Sequence, residues 1–176
     1  MNIDDLRYPT GKWIRQPTLD ASGLAAMIQA IAVTPAALAA SVKGLTDAQL
    51  DTPYRDGGWT PRQIVHHIAD SHMNAYIRFK LGMTEDNPTI KPYDEKKWSE
   101  TIDAGQAPPE LSLAIVDGVH QRWVQFMKSV DAAAFNRTVQ HPERGPMTLS
   151  DLVQLYAWHG KHHTAHITGL RQRMGW

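Results

Sequence analysis

The chain contains no cysteine. That absence removes disulfides and thiolate ligands together. Any transition metal it binds must take nitrogen or oxygen donors, which in zinc proteins points away from Cys-rich structural sites. An excess of charge of either sign is lacking too. Eighteen basic residues balance eighteen acidic ones, for a formal net charge of +0 with the histidines neutral. No strong field therefore draws the chain to nucleic acid or to an anionic membrane. No apolar run approaches the length of a membrane span, and Met1-Asn2-Ile3-Asp4-Asp5-Leu6 lacks the basic and then apolar stretch of a secretory signal. The expectation is a cytoplasmic protein without nucleic-acid or membrane partners. Repeats and low-complexity tracts are absent, and 176 residues suffice to bury a good core as one domain, residues 1–176.

What the chain does have is histidine, nine in all, four of them within Trp158–His166. A helix advances about 100° per residue, so His159 and His163 lie about 40° apart on one face. Leu152, Tyr156, Ile167 and Leu170 define the apolar stripe of that helix, with His159 and His163 near its middle. His162 sits toward the polar flank and His166 lies between. A buried imidazole needs a partner, and a metal ion can satisfy two at once.

Helical spacing recurs along the chain. Residues 1 to about 18 hold Pro9, Gly11 and Pro17 and read as an extended arm with Tyr8 and Trp13 as anchors. An Ala-rich helix spans Asp20 to about Lys43; either it kinks at Pro35, or Thr34 caps a second segment there. Gly44 suits a helix stop, and Thr46 to Gln49 form a capping-box pattern. After a loop at 51–59, Thr60-Pro61-Arg62-Gln63 gives three helix-start signals, and Gly82 is expected to stop that helix after Leu81. Residues 83–107 form a long crossing loop, the kind that is often functional. Pro109 starts a third helix through Leu111, Ile115, Val119 and Trp123. Residues 135–147 are a hairpin or a loop, and Thr148 caps a fourth helix running to about Arg173. The expected fold is an all-α four-helix bundle, whose metal sites are built from side chains projecting inward from facing helices.

A third ligand is sought on the second helix. His67 lies at the edge of its apolar face, in line with Gln63, Asn74 and Arg78, beside Asp70 and Ser71. His67, His159 and His163 would supply three nitrogen donors and leave a position open, the pattern of a catalytic centre. Water in that position has its pKa lowered to about 7; a substrate thiol there would lose its proton. Arg78 either binds a substrate carboxylate or phosphate by its forked donors or pairs with Asp94 or Glu95. Tyr93 and Trp98 either lid the pocket or pack on the bundle. His66, His72, His120 and His141 read as ordinary satisfied or solvated histidines.

The segments Trp59 through His72 and Trp158 through His166 resemble the DinB/YfiT-like superfamily. The likeness extends through Asp51–Trp59, Tyr76–Leu81, Pro92–Lys96 and the tail Arg173-Met174-Gly175-Trp176, nearly the whole chain. It implies a four-helix bundle binding zinc or nickel, one ion per subunit, through His67, His159 and His163, and a homodimer. Where many relatives have Gln three residues after the last ligand, this chain has His166. Members of the superfamily are described as metal-dependent hydrolases or as transferases of low-molecular-weight thiols. The leading expectation is hydrolysis of a small-molecule substrate, with His166 or Asp70 assisting proton transfer and Asn74 and Arg78 binding substrate. The alternatives are metal-dependent thiol S-transfer and non-catalytic metal binding.

Overall fold

Most of the helices begin at a residue whose side chain satisfies free backbone donors. The structure, a computed structural model, describes residues 2–176. The N-terminal arm is not wholly extended: Asn2 and Asp5 form a capping box that opens α1 (Ile3–Arg7). Asp20 then starts α2 (Ala21–Val42), accepting from the Gly23 N–H at 2.7 Å. This helix runs unbroken through Pro35 and ends just before Gly44, which takes the left-handed φ of 77°. Thr46 and Gln49 box the start of α3 (Asp47–Leu50).

Thr60, Pro61 and Gln63 open α4 (Pro61–Thr84) as their spacing predicts. Gly82 does not stop it, however, and the helix continues to Thr84. This glycine serves packing instead. A Cβ there would lie 2.6 Å from Leu149 Cδ2 and 2.8 Å from Val139 Cγ1, so only a bare Cα admits these neighbours. The crossing segment is also more ordered than a loop, holding α5 (Glu95–Ser99) and α6 (Ile102–Gln106). After α7 (Pro109–Lys128), a single 3-10 turn (Ala132–Asn136) leads into a hairpin, β1 (Thr138–His141) and β2 (Gly145–Thr148). The strands are antiparallel, with Thr138 opposite Thr148 and His141 opposite Gly145. Thr148 ends the hairpin and caps α8 (Leu149–Met174) in a box with Asp151. The Asp151 carboxylate also pairs with Arg15 at 2.6 Å, fastening the N-terminal arm to α8.

The four long helices α2, α4, α7 and α8 form the bundle. Both α7 and α8 pack against α2 and against α4. Consecutive helices α2 and α4 therefore lie on one diagonal, and α7 and α8 on the other. Contrary to the sequence expectation, α2 is by length and composition apolar enough to cross a bilayer, with a mean hydropathy of 1.7 over 18 residues. Its many alanines and lack of charge produce that value. In the fold it forms a wall of the bundle, burying Ile28, Ile31, Leu38 and Val42.

The apolar core is divided in two. One cluster holds Ile31, Phe79, Trp123 and Leu152; the other holds Leu38, Ile64, Val116 and Ile167. Each such fully buried side chain contributes roughly 1.5–3 kcal/mol by its removal from water. Between the clusters, on all four helices, lies a polar layer that includes Thr34, His72, His120 and His159. There α8 comes close to α2 across Gly160, where a Cβ would meet Thr34 Cγ2 at 2.7 Å.

Candidate metal centre

Two helices supply three imidazoles to one point in this layer. His67 comes from α4, and His159 and His163 lie one turn apart on α8. One ring nitrogen from each lies within 4.8 Å of the other two. His67 Nε2 and His159 Nε2 are 3.2 Å apart. Two nitrogens bound tetrahedrally to one ion at 2.0–2.1 Å are about 3.3 Å from one another, so this spacing fits a shared ion. His163 Nδ1 is buried with no hydrogen-bond partner, a state that costs free energy unless the ring is used otherwise. Burial pushes the His67 pKa down to about 3 and holds His159 and His163 well below the usual histidine range. All three rings are therefore neutral near pH 7, as metal ligation requires.

The second nitrogen of His159 begins a chain of hydrogen bonds. His159 Nδ1 lies 3.1 Å from His72 Nε2, and His72 Nδ1 lies 2.8 Å from His120 Nε2. His120 Nδ1 reaches the Ile31 carbonyl at 2.7 Å. Sequence reasoning gave His72 and His120 no part in the site. Each sits among apolar residues at helical spacing, and that is the signal that both point inward. Their mutual contact depends on the packing of α4 against α7. His66, by contrast, is the satisfied histidine expected, bonded to Ser112 Oγ at 2.7 Å and to the Ala107 carbonyl at 3.0 Å.

The three histidines line a cavity of about 320 Å³. Trp59 walls one side, its ring 4.5 Å from His67 and 5.8 Å from His163. The crossing segment contributes Tyr93 and Glu95 to the lining, and the hairpin contributes His141, Glu143 and Arg144. The sequence assigned none of these hairpin residues to the site and read His141 as an ordinary histidine, since nothing local says that residues 141–144 return to α8. Tyr93 thus borders the cavity, while Trp98 packs on Tyr93 at 4.5 Å and stays 41% exposed.

Arg78 also lines the cavity, and it is only 8 % exposed. Its Nη1 donates to Tyr156 Oη at 3.1 Å, its Nη2 to the Lys91 carbonyl at 2.8 Å, and its Nε has no partner. Neither Asp94 nor Glu95 pairs with it; Asp94 pairs with Lys97. Burial raises the pKa of the Tyr156 phenol, so the hydroxyl keeps its proton.

The other sequence-derived site residues lie elsewhere. Asn74 donates to the Asp70 carbonyl one turn back on its own helix and does not line the cavity. Asp70 is half-buried and outside the cavity, its carboxyl pushed up to about 6 by desolvation and then by the Asp103 charge. His166 does not line this cavity; it borders a neighbouring pocket with Trp59, His162 and His163. Its ring stacks on Tyr54 at 4.1 Å, and its Nε2 bonds the Arg7 carbonyl at 3.2 Å. The N-terminal arm and the 51–59 loop, far away in sequence, take up this side of α8. His162 is on the same side as His166, 3.4 Å from Thr10 Oγ1 and stacked on Trp158, yet its ring also reaches the cavity lining.

A four-helix bundle whose core opens a polar cavity onto three converging histidines defines a class of helical proteins able to hold a metal ion. The chain belongs to the DinB superfamily, whose model matches residues 30–167. It is 52% identical over 174 residues to a Bacillus mycoides protein named "putative metal-dependent hydrolase", covering 99% of this chain and 100% of that one. Bacillus cereus proteins of the same name are 49% identical over the same length. Among solved structures it is similar to YfiT from Bacillus subtilis, described as a probable metal-dependent hydrolase with an unusual four-helix bundle topology. That match has a TM-score of 0.95 and 48% identity over 98% of this chain and 99% of that one. TT2238, a four-helix bundle protein, shares the fold at a TM-score of 0.56 and 18% identity, over 87% of this chain and 99% of that one.

Proposed function

We propose that the protein is a metal-dependent hydrolase holding one divalent ion, zinc or nickel, on His67, His159 and His163. The observation that carries this reading is the convergence of three neutral ring nitrogens on the wall of an open polar cavity. Three protein donors facing a cavity leave a position for solvent or substrate, the arrangement of catalytic rather than structural centres. A divalent ion held there supplies Lewis acidity to a carbonyl or phosphoryl oxygen and lowers the pKa of a water toward about 7.

The side chains around it have distinct roles. Trp59 packs on His67 and His163, keeping bulk water off one side of both rings. Arg78 brings a buried positive charge that has no carboxylate partner among the described residues. Such a charge is costly until it is neutralised, so the substrate carries an anionic group that docks against Arg78. Tyr156, oriented by Arg78 Nη1 and holding its proton firmly, donates to negative charge that develops on the reacting group. This reading gives His166 and Asp70 no part in proton transfer, since neither lines the cavity.

The test is a panel of anionic esters, amides and phosphoesters, assayed with zinc- or nickel-loaded protein in the presence and absence of small thiols. Thiol-independent turnover that is lost in His163→Ala is the expected result. Arg78→Met should raise KM for the anionic substrates about 10-fold or more, at about 1.4 kcal/mol per tenfold. Turnover only with thiol would make the protein a transferase. Metal binding without any turnover would make it a binding protein.

A further inference from the structure

The polar layer contains two buried histidines, His72 and His120, that touch neither the cavity nor solvent. They link His159 to the backbone of α2, so the chain of bonds visits all four bundle helices: His159 on α8, His72 on α4, His120 on α7, and the Ile31 carbonyl on α2. Its far end is unusual. In a regular helix the Ile31 carbonyl accepts from the N–H of residue 35, but residue 35 is proline and has none. Pro35, inside an otherwise unbroken helix, leaves that carbonyl to another donor, and His120 Nδ1 takes it at 2.7 Å.

A carbonyl can only accept, and this fixes every proton along the chain. His120 must carry its hydrogen on Nδ1. In a neutral ring its Nε2 is then an acceptor, so His72 must donate from Nδ1. His72 Nε2 is left as the acceptor for His159 Nδ1–H. His159 Nε2 is therefore a bare lone pair, and it is the atom that lies 3.2 Å from His67 Nε2. Full burial of His72 and His120, with no carboxylate bonded to either, keeps the chain neutral.

We infer that His72 and His120, anchored on the carbonyl that Pro35 leaves free, are positioning residues that lock His159 in the Nδ1–H tautomer and aim its Nε2 lone pair at the metal position. This rests on the three-histidine reading above. The second hydrogen bond of a metal-bound histidine sets its tautomer and basicity, and loss of such a partner costs about 10- to 100-fold in metal affinity. Here the partner is neutral and is itself held in place by two further contacts.

Two measurements test it. Nitrogen-15 NMR of the metal-free protein, at a pH above the histidine range, reports the tautomer of each ring directly and needs no variant. His72, His120 and His159 should all show Nδ1–H with a lone pair on Nε2; an Nε2–H on His159 overturns the inference. Zinc titration of variants is the second. His72→Phe keeps a ring but leaves the His159 Nδ1–H without an acceptor, and should bind zinc about 10- to 100-fold more weakly. His72→Gln puts an amide oxygen near the place of Nε2 and should recover most of that loss. A purely packing role predicts the reverse order, with Phe tolerated better than Gln, and would refute the positioning role. Failure of the wild-type protein to bind zinc would instead sink the metal reading, while the NMR result would still decide the tautomers.

Discussion

Gly160→Ala places one methyl group where α8 crosses α2, and the structure sets its cost. The new Cβ would sit 2.7 Å from Thr34 Cγ2 and 2.8 Å from Thr34 Oγ1. Thr34 is buried, and its hydroxyl is tied to the Ala30 carbonyl at 2.9 Å, so it cannot swing aside without losing that bond. Two effects compete. Alanine is a better helix former than glycine by about 1 kcal/mol. Against this, overpacking a filled core costs about 1–3 kcal/mol, and a broken hydrogen bond about 0.5–1.5 kcal/mol. The steric side wins, with a net loss of about 0.5–3.5 kcal/mol and a fall in Tm of about 1–14 °C for a domain of this size.

A double-mutant cycle isolates the contact. Thr34→Ala removes the two nearest of the three atoms that the new methyl meets, leaving only Thr34 Cβ at 3.4 Å, so Gly160→Ala should be neutral or stabilising in that background. The expected coupling is the sum of the steric and hydrogen-bond terms, about 1.5–4.5 kcal/mol, measured by chemical denaturation. Because residue 160 adjoins His159, the single variant should also bind zinc more weakly than the double variant. If Gly160→Ala is as stable as the parent and shows no coupling to Thr34→Ala, the close approach of α2 and α8 is refuted.

Other perturbations have equally definite signs. In metal-free protein His67 stays neutral down to about 3, and His162 and His166 down to about 4, whereas unfolded histidines take protons near 6.5. The unfolded state therefore binds more protons below about pH 6.5. Tm should fall as the pH drops through that value and level off only below about 3–4; a flat profile between about pH 8 and 5 contradicts the burial of these rings. Asp70 has the opposite sense: its folded pKa of about 6 lies above the ordinary 3.8, so ionising it penalises the folded state at neutral and higher pH. Asp70→Asn should raise Tm near pH 8 by about 2–4 °C, roughly 1 kcal/mol for a half-screened group. The gain should vanish below about pH 4, and a loss of turnover without that gain would restore Asp70 to the chemistry.

Much of this protein can be read locally. The Thr60-Pro61-Arg62-Gln63 start, the Thr46 and Thr148 caps and the left-handed Gly44 are decided by the few residues around them, because capping is a short-range contest for backbone donors. The orientation of His159 and His163 follows from helical periodicity for the same reason. Gly82 looked like a stop because glycine commonly ends helices. It proved to be a contact point with Leu149 and Val139, residues more than fifty positions away.

Tertiary structure alone decided which histidines meet. A wheel shows that a ring points inward, but not which ring it meets, since that depends on the relative height and rotation of two helices. Hence His72 and His120 passed as ordinary until α4 packed on α7, and His166 looked available until the N-terminal arm and Tyr54 covered its side of α8. The cavity rim from the hairpin and crossing segment arises in the same way. Pro35 joins the two levels: its missing N–H is a fact of sequence, and only the fold brings His120 to the carbonyl it leaves free.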